Sequence, residues 1–201
     1  SEHLLQSSTL IVLSPGPGKP SDYPETLELV RNLIGKVPIL GICLGFQLLL
    51  ELEGARVIRQ SQVLHGVCTE ISTVPESITY QGFSQSMQVA RYHSLQVDPA
   101  SLSALPDSIS MTAYDPIRNV PLSFEDLKRK LFGLQYHPES FLTEGGNRLI
   151  NRKHPECMRG RNRVIPSNIQ SLGGSMVLLA LFELQVTLKS YSKKITLNAS
   201  T

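Results

Sequence analysis

Cysteine is scarce in this chain: Cys43, Cys68 and Cys157 are the only three among 201 residues. Such an odd, widely spaced set fits a reducing compartment and argues against a disulfide scaffold. No CxxC pair occurs, which argues against a zinc ribbon. Net charge is nearly absent as well. A formal value of +2 gives no reason to expect nucleic acid or a membrane surface as the main partner. There is no long hydrophobic run. The most apolar stretch, Met176 to Phe182, is closed by Glu183 and is far too short to cross a bilayer. The opening residues SEHLLQSSTL have neither the basic nor the long apolar region of a secretory leader. They include no initiator Met, so a protein expected in the cytoplasm still leaves room for an organellar targeting segment upstream. No internal repeat of domain size is visible.

What is present suits a folded core. Apolar residues make up 41% and charged residues 18%, a balance that favours one packed α/β domain. Thr9–Ser14 is a short apolar, β-branched run and reads as a buried strand. It stops at Pro15-Gly16-Pro17-Gly18, which neither continues a strand nor enters a helix interior. Ser21 or Asp22 is expected to cap a helix with Pro24 near its first turn. Leu27, Val30, Leu33 and Ile34 repeat at helical spacing, and Gly35 closes that helix. Val37–Ile42 is a second buried strand. It turns at Cys43-Leu44-Gly45 into a helix over Phe46–Glu53, stopped by Gly54. Ala55–Arg59 is strand-like.

This alternation predicts a largely parallel sheet with helices on its faces. Further strands are expected over Val67–Val74, Ser86–Arg91, Ser108–Ala113 and Leu131–Tyr136. The texture changes after about Asn151. Residues 151–163 are basic and polar, Val164–Gly174 reads as a linker, and the apolar stretch 175–189 fits a helix or a strand equally. The division is therefore a domain over 1–150 and a linker or atypical tail over 151–201.

The chemistry concentrates at Gly41-Ile42-Cys43-Leu44-Gly45. A nucleophile between two near glycines, after an apolar strand and before a helix, is the thiol form of a nucleophile elbow. The turn is tight enough that flanking side chains would clash, hence glycine. The sulfur is presented at the carboxyl end of a strand, where open α/β sheets bind ligands. The start of a helix favours thiolate over thiol, and the Leu44 N–H is free to hold an oxyanion. The alternative is a small apolar core cysteine, which the strand–elbow–helix setting disfavours.

His137-Pro138-Glu139 follows an apolar strand. In an extended segment, residues two apart share a face, so Glu139 can fix the tautomer of His137 while His137 exchanges a proton with Cys43. The same triplet recurs at His154-Pro155-Glu156, but there it follows Arg152-Lys153 and reads as a solvated turn. The Pro15–Gly18 loop can approach a ligand through its glycine N–H groups, as a second oxyanion donor or as a carboxylate site, or it is a plain turn. Gln47 stands one helical turn beyond Cys43, either holding a polar substrate or facing solvent. His93 has no acid two residues on, which makes His137 the preferred base. Asp98 and Asp107, each beside a proline, read as turn residues.

Together these elements resemble the class I (triad) glutamine amidotransferases, from about Thr9 to Ile150. The motifs that carry the resemblance are LSPGPG, GICLGFQ, LHG at Leu64–Gly66, ARYHSL and GLQYHPESFLTEGG. The last two point to the chorismate-using branch, the glutaminase components of aminodeoxychorismate synthase and anthranilate synthase. Phe46 stands where that branch commonly has His, and GICLGFQ leans toward the folate route, with the tryptophan route as the alternative. The resemblance implies a flavodoxin-like α/β fold and hydrolysis of L-glutamine by Cys43, His137 and Glu139. It implies substrate contacts from Gly16, Pro17, Gly18, Leu44, Gln47, Ser94 and Leu95, no metal or other cofactor, and ammonia delivery to a chorismate-binding synthase domain or subunit.

The chain departs from that pattern in three places. A first strand–helix–strand unit is expected before the LSPGPG strand and is absent. The tail after Ile150 is unfamiliar where the family ends in one packed helix. The Lys often found after Gly66 is not there. An inactive fragment and a γ-glutamyl peptide hydrolase are the rival readings.

Overall fold

The computed structural model describes residues 10–152. The tail assigned to 151–201 and the second His-Pro-Glu triplet therefore fall almost wholly outside the described residues. One sheet of seven strands organises the rest. In chain order these are β1 (Ile11–Leu13), β2 (Ile39–Ile42), β3 (Val57–Thr73), β4 (Ser86–Val97), β5 (Ser110–Tyr114), β6 (Pro121–Asp126) and β7 (Leu131–Leu134). The helices are α1 (Pro24–Leu33), α2 (Leu44–Leu52) and α3 (Gly146–Arg152). The sheet order is β1-β2-β7-β6-β5-β3-β4.

The fold is α/β and flavodoxin-like. Its parallel part is β1-β2-β7, with Ile11 opposite Ile39 and Ile39 opposite Leu131. The remaining pairings, from β7 to β6 and on to β4, are antiparallel. Ala55–Arg59, read as the next strand of a parallel alternation, runs into β3 and pairs antiparallel with β4.

Period-two alternation explains the two cores. Ile11, Leu13 and Ile39 face one side with Val30 of α1 and Phe46, Leu49 and Leu50 of α2. Val12, Leu40 and Ile42 face the other with Tyr80, Tyr136 and Leu149 of α3. Two glycines let α2 sit tightly against the sheet. A Cβ on Gly41 would run into the backbone of Gly45, and one on Gly45 into the Leu13 carbonyl oxygen.

Helix starts differ from the sequence reading in two places, and α2 begins at Leu44 rather than Phe46 because the elbow turns directly into the helix. Tyr23, not Ser21 or Asp22, is the N-cap of α1, with Pro24 at its first position. Asp22 instead accepts from the Lys19 N–H at 2.9 Å and closes the turn ahead of it. Asp98 is the turn residue it was expected to be. It caps the short 3-10 helix Pro99–Ala104 by accepting from the Ala100 N–H. Strand β6 was not foreseen, and α3 begins at Gly146, before the expected end of the domain.

Candidate active site

Cys43 occupies the turn between β2 and α2. Its backbone is left-handed, with φ 54° and ψ −100°, a conformation unusual for a residue with a side chain. The turn is held from both sides. The Cys43 N–H donates to the Leu134 carbonyl at 2.8 Å, and its carbonyl accepts from the Gln47 N–H at 3.2 Å. Cys43 is the N-cap of α2, so Leu44 is the first helical residue and its N–H has no acceptor within the helix. Both residues are buried.

The Pro15–Gly18 loop comes up beside this turn. A Cβ on Gly16 would approach Leu44 Cδ2 to 2.9 Å. The Tyr23 hydroxyl donates to the Pro17 carbonyl at 2.7 Å and fixes the loop, while Pro17 and Gly18 stay exposed.

His137 and Glu139 follow β7, the neighbour of β2. The His137 N–H donates to the Ala90 carbonyl at 3.0 Å, and its own carbonyl accepts from the Thr143 hydroxyl at 2.6 Å. Its ring meets Tyr92 edge-on, with centroids 4.9 Å apart. Nδ1 lies 2.6 Å from Glu139 Oε1. Since a carboxylate can only accept, Nδ1 carries a proton and Nε2 is the ring nitrogen that Glu139 leaves unengaged. Nε2 is buried and has no partner that meets the geometry of a hydrogen bond, yet Cys43 is close enough to act on its protonation. Burial alone would lower the His137 pKa. The Cys43 side chain and the Glu139 carboxylate more than reverse that and raise it to about 9.

Of the other candidates, Ser94 is exposed on β4 and Leu95 is half-buried next to it. Gln47 is buried, which removes the solvent-facing reading. Its Nε2 donates to the Leu95 carbonyl at 3.2 Å and to Gln135 Oε1 at 2.9 Å. His93 is no rival base. Arg91 Nε donates to its Nε2 at 3.0 Å and its Nδ1 lies 2.7 Å from the Leu95 carbonyl. Burial first, and the Arg91 charge second, press its pKa down to about 3.

Gln135 is the residue that sequence reasoning missed. It is fully buried, and its Nε2 lies 3.8 Å from Cys43 Sγ. A signal was there, because Gln135 is the one amide in an apolar strand and stands two residues before His137, on the same face.

A model of the family described as glutamine amidotransferase class-I matches residues 1–157. The chain belongs to the class I glutamine amidotransferases. Among similar proteins, aminodeoxychorismate synthase component 2 of Escherichia coli is 38% identical over 140 residues, 70% of this chain and 72% of the relative. Anthranilate synthase component 2 of Helicobacter pylori is 36% identical over 143 residues, 71% of this chain and 70% of the relative.

Solved structures share the fold. A GMP synthase protein of Thermoplasma acidophilum superposes with TM-score 0.62 at 24% identity, over 76% of this chain and 73% of that one. A Thermotoga maritima glutamine amidotransferase superposes with TM-score 0.56 at 25% identity, over 72% and 60%. Among the described residues, no helix is long and apolar enough to cross a membrane.

Proposed function

We propose that this chain hydrolyses L-glutamine and hands the ammonia to a chorismate-aminating synthase, in the route to aminodeoxychorismate. The observation that carries the hydrolysis is the pairing of a strained, helix-capping Cys43 with a His137 whose Nδ1 is fixed by Glu139 at 2.6 Å.

In this reading the Cys43 thiolate attacks the side-chain amide carbon, and the carbonyl electrons move onto oxygen. The Leu44 N–H, with an N–H from the Gly16–Gly18 loop, holds that oxyanion. The imidazolium of His137 then gives its Nε2 proton to the leaving nitrogen. The C–N bond breaks, and ammonia and a γ-glutamyl thioester result. Water attacks the thioester while His137 Nε2 takes its proton. The sulfur leaves with the electron pair, and glutamate is released. A His137 pKa of about 9 suits the first half, since the ring begins protonated at neutral pH. In the same reading Gly16, Pro17, Gly18, Leu44, Gln47, Ser94 and Leu95 are the residues that would contact the substrate. Gln47 keeps only its Oε1 for that purpose, because its Nε2 is engaged within the protein.

The anthranilate route is the second reading, supported by relatives at nearly the same identity. The test is intact-mass labelling with a glutamine-like electrophile, with Cys43→Ser beside the wild type. One adduct in the wild type and none in the variant is the expected result. No adduct in either, with or without an added synthase component, supports the inactive-fragment reading instead. Ammonia-dependent product formed with one synthase component and not the other separates the two routes. Changing His154 leaves hydrolysis intact.

A further inference from the structure

The amides of Gln47 and Gln135 are flippable groups, yet their polarity is fixed by one backbone atom. The Leu95 carbonyl oxygen can only accept. The group 3.2 Å away must therefore be the NH2 of Gln47, and the ring nitrogen 2.7 Å away must be a protonated Nδ1 of His93. His93 Nε2 is then a lone pair, which agrees with Arg91 Nε donating to it at 3.0 Å. The same NH2 of Gln47 lies 2.9 Å from Gln135, which must answer with its oxygen. Were Gln135 reversed, donor would face donor between two buried side chains. What remains of Gln135 for Cys43 is the NH2, at 3.8 Å from Sγ.

We infer that the side-chain amide of Gln135 donates to Cys43 Sγ and holds the nucleophile as its thiolate, making Gln135 a further catalytic residue whose orientation is set through Gln47 by the Leu95 carbonyl. The inference rests on the reading of Cys43 as the nucleophile. An N–H directed at sulfur in a buried site stabilises the anion more than the neutral thiol, because a hydrogen bond to a charged acceptor is the stronger one. Gln135 is fully buried, as is Gln47 on the adjoining helix, so solvent does not compete for this donor.

The ionisable group that acts together with the sulfur is His137, backed by Glu139. It cannot replace a neutral donor, since its charge is tied to the proton that Cys43 exchanges.

The test is the pH profile of Cys43 alkylation by iodoacetamide, located by peptide mass so that Cys68 and Cys157 do not contribute. Gln135→Met keeps the shape and removes the donor. Its alkylation midpoint is expected to move up by about one pH unit, with alkylation about tenfold slower below the midpoint. A midpoint unchanged from wild type overturns the assignment while leaving Cys43 as nucleophile. A wild-type midpoint no lower than that of a free cysteine removes the nucleophile reading and this inference with it.

A second measurement needs no substitution at the buried position. In 15N-labelled wild-type protein, the Gln135 side-chain amide protons are expected to shift with the alkylation midpoint, and to lose that response in Cys43→Ala, where His137 still titrates. An amide insensitive to pH in the wild type, or equally sensitive in Cys43→Ala, overturns the inference.

Discussion

Glu139 Oε1 lies 2.6 Å from His137 Nδ1, and that single contact decides which nitrogen of the ring is left for chemistry. Glu139→Gln tests it. The amide can turn its NH2 toward Nδ1, which favours the tautomer with the proton on Nε2 and no lone pair there. Glutamine hydrolysis is expected to fall by about 10²-fold or more in kcat, the size of a general acid–base contribution, with KM nearly unchanged. The side chain is partly exposed, so the variant should fold normally. A fall confined to KM would place Glu139 in substrate binding instead.

The same pair links stability to pH. The folded-state pKa of His137 is raised, to about 9, against an ordinary value of 6.5. Folding therefore favours the protonated ring. The stabilisation is fully present below pH 6.5 and is lost as pH rises through about 9. Urea midpoints measured from about pH 6 to about pH 10 should decline across that window. In Glu139→Gln the decline should be shallower, because one of the groups holding the proton is gone. Equal slopes in the two proteins would mean that Glu139 does not raise the His137 pKa.

Much of the parallel half was legible in the sequence, since its strands and helices are apolar runs punctuated by glycine and proline. The elbow at Cys43 was legible because only glycine satisfies the approaches that Gly41 and Gly45 make. The antiparallel half was harder for physical reasons. Strand β6, PLSFED, is buried throughout, but carries Ser123, Glu125 and Asp126. Their partners are Thr112, Thr79 and Arg129, far away or across a turn, so the strand shows no apolar period. Strand β3 is mostly exposed and bulged between Arg59 and Leu64, so it reads as separate pieces. Gln135 escaped because its role depends on an acceptor, Leu95, that is distant in sequence and acts through Gln47.

Behind the Leu95 carbonyl stands a buried ion pair. Arg91 Nη1 lies 2.9 Å from Asp115 Oδ2, with side-chain exposures of 1% and 7%. Asp115→Ala leaves the Arg91 charge buried with Arg118 nearby, which is of like sign. The expected cost is about 3–5 kcal/mol in unfolding free energy, the range for breaking one side of a buried pair. Hydrolysis should also weaken at temperatures where the variant is still folded, since Arg91 orients His93 and His93 shares the Leu95 carbonyl with Gln47. Calorimetry together with activity on the folded fraction checks both. Loss of stability with full specific activity would confine the pair to a packing role.

The close approach of α2 to the sheet makes a sharper contrast between two glycines. A Cβ at Gly45 would meet the Leu13 carbonyl oxygen and lie 2.6 Å from Leu13 Cβ, and the Leu13 backbone cannot yield without moving β1. Gly35, with φ 78°, sits within the turn after α1 and has nothing within 4 Å of such a carbon. Gly35→Ala should cost only the left-handed backbone, about 1 kcal/mol. Gly45→Ala adds overpacking at a buried backbone contact and should cost about 3 kcal/mol or more. It should also tilt the first turn of α2, moving the Leu44 N–H away from the proposed oxyanion position, so electrophile labelling of Cys43 should slow in whatever fraction remains folded. Paired urea titrations of the two variants decide the matter. Similar losses at both positions would mean that α2 can shift outward without penalty, and that the elbow's geometry is not enforced by its contact with β1.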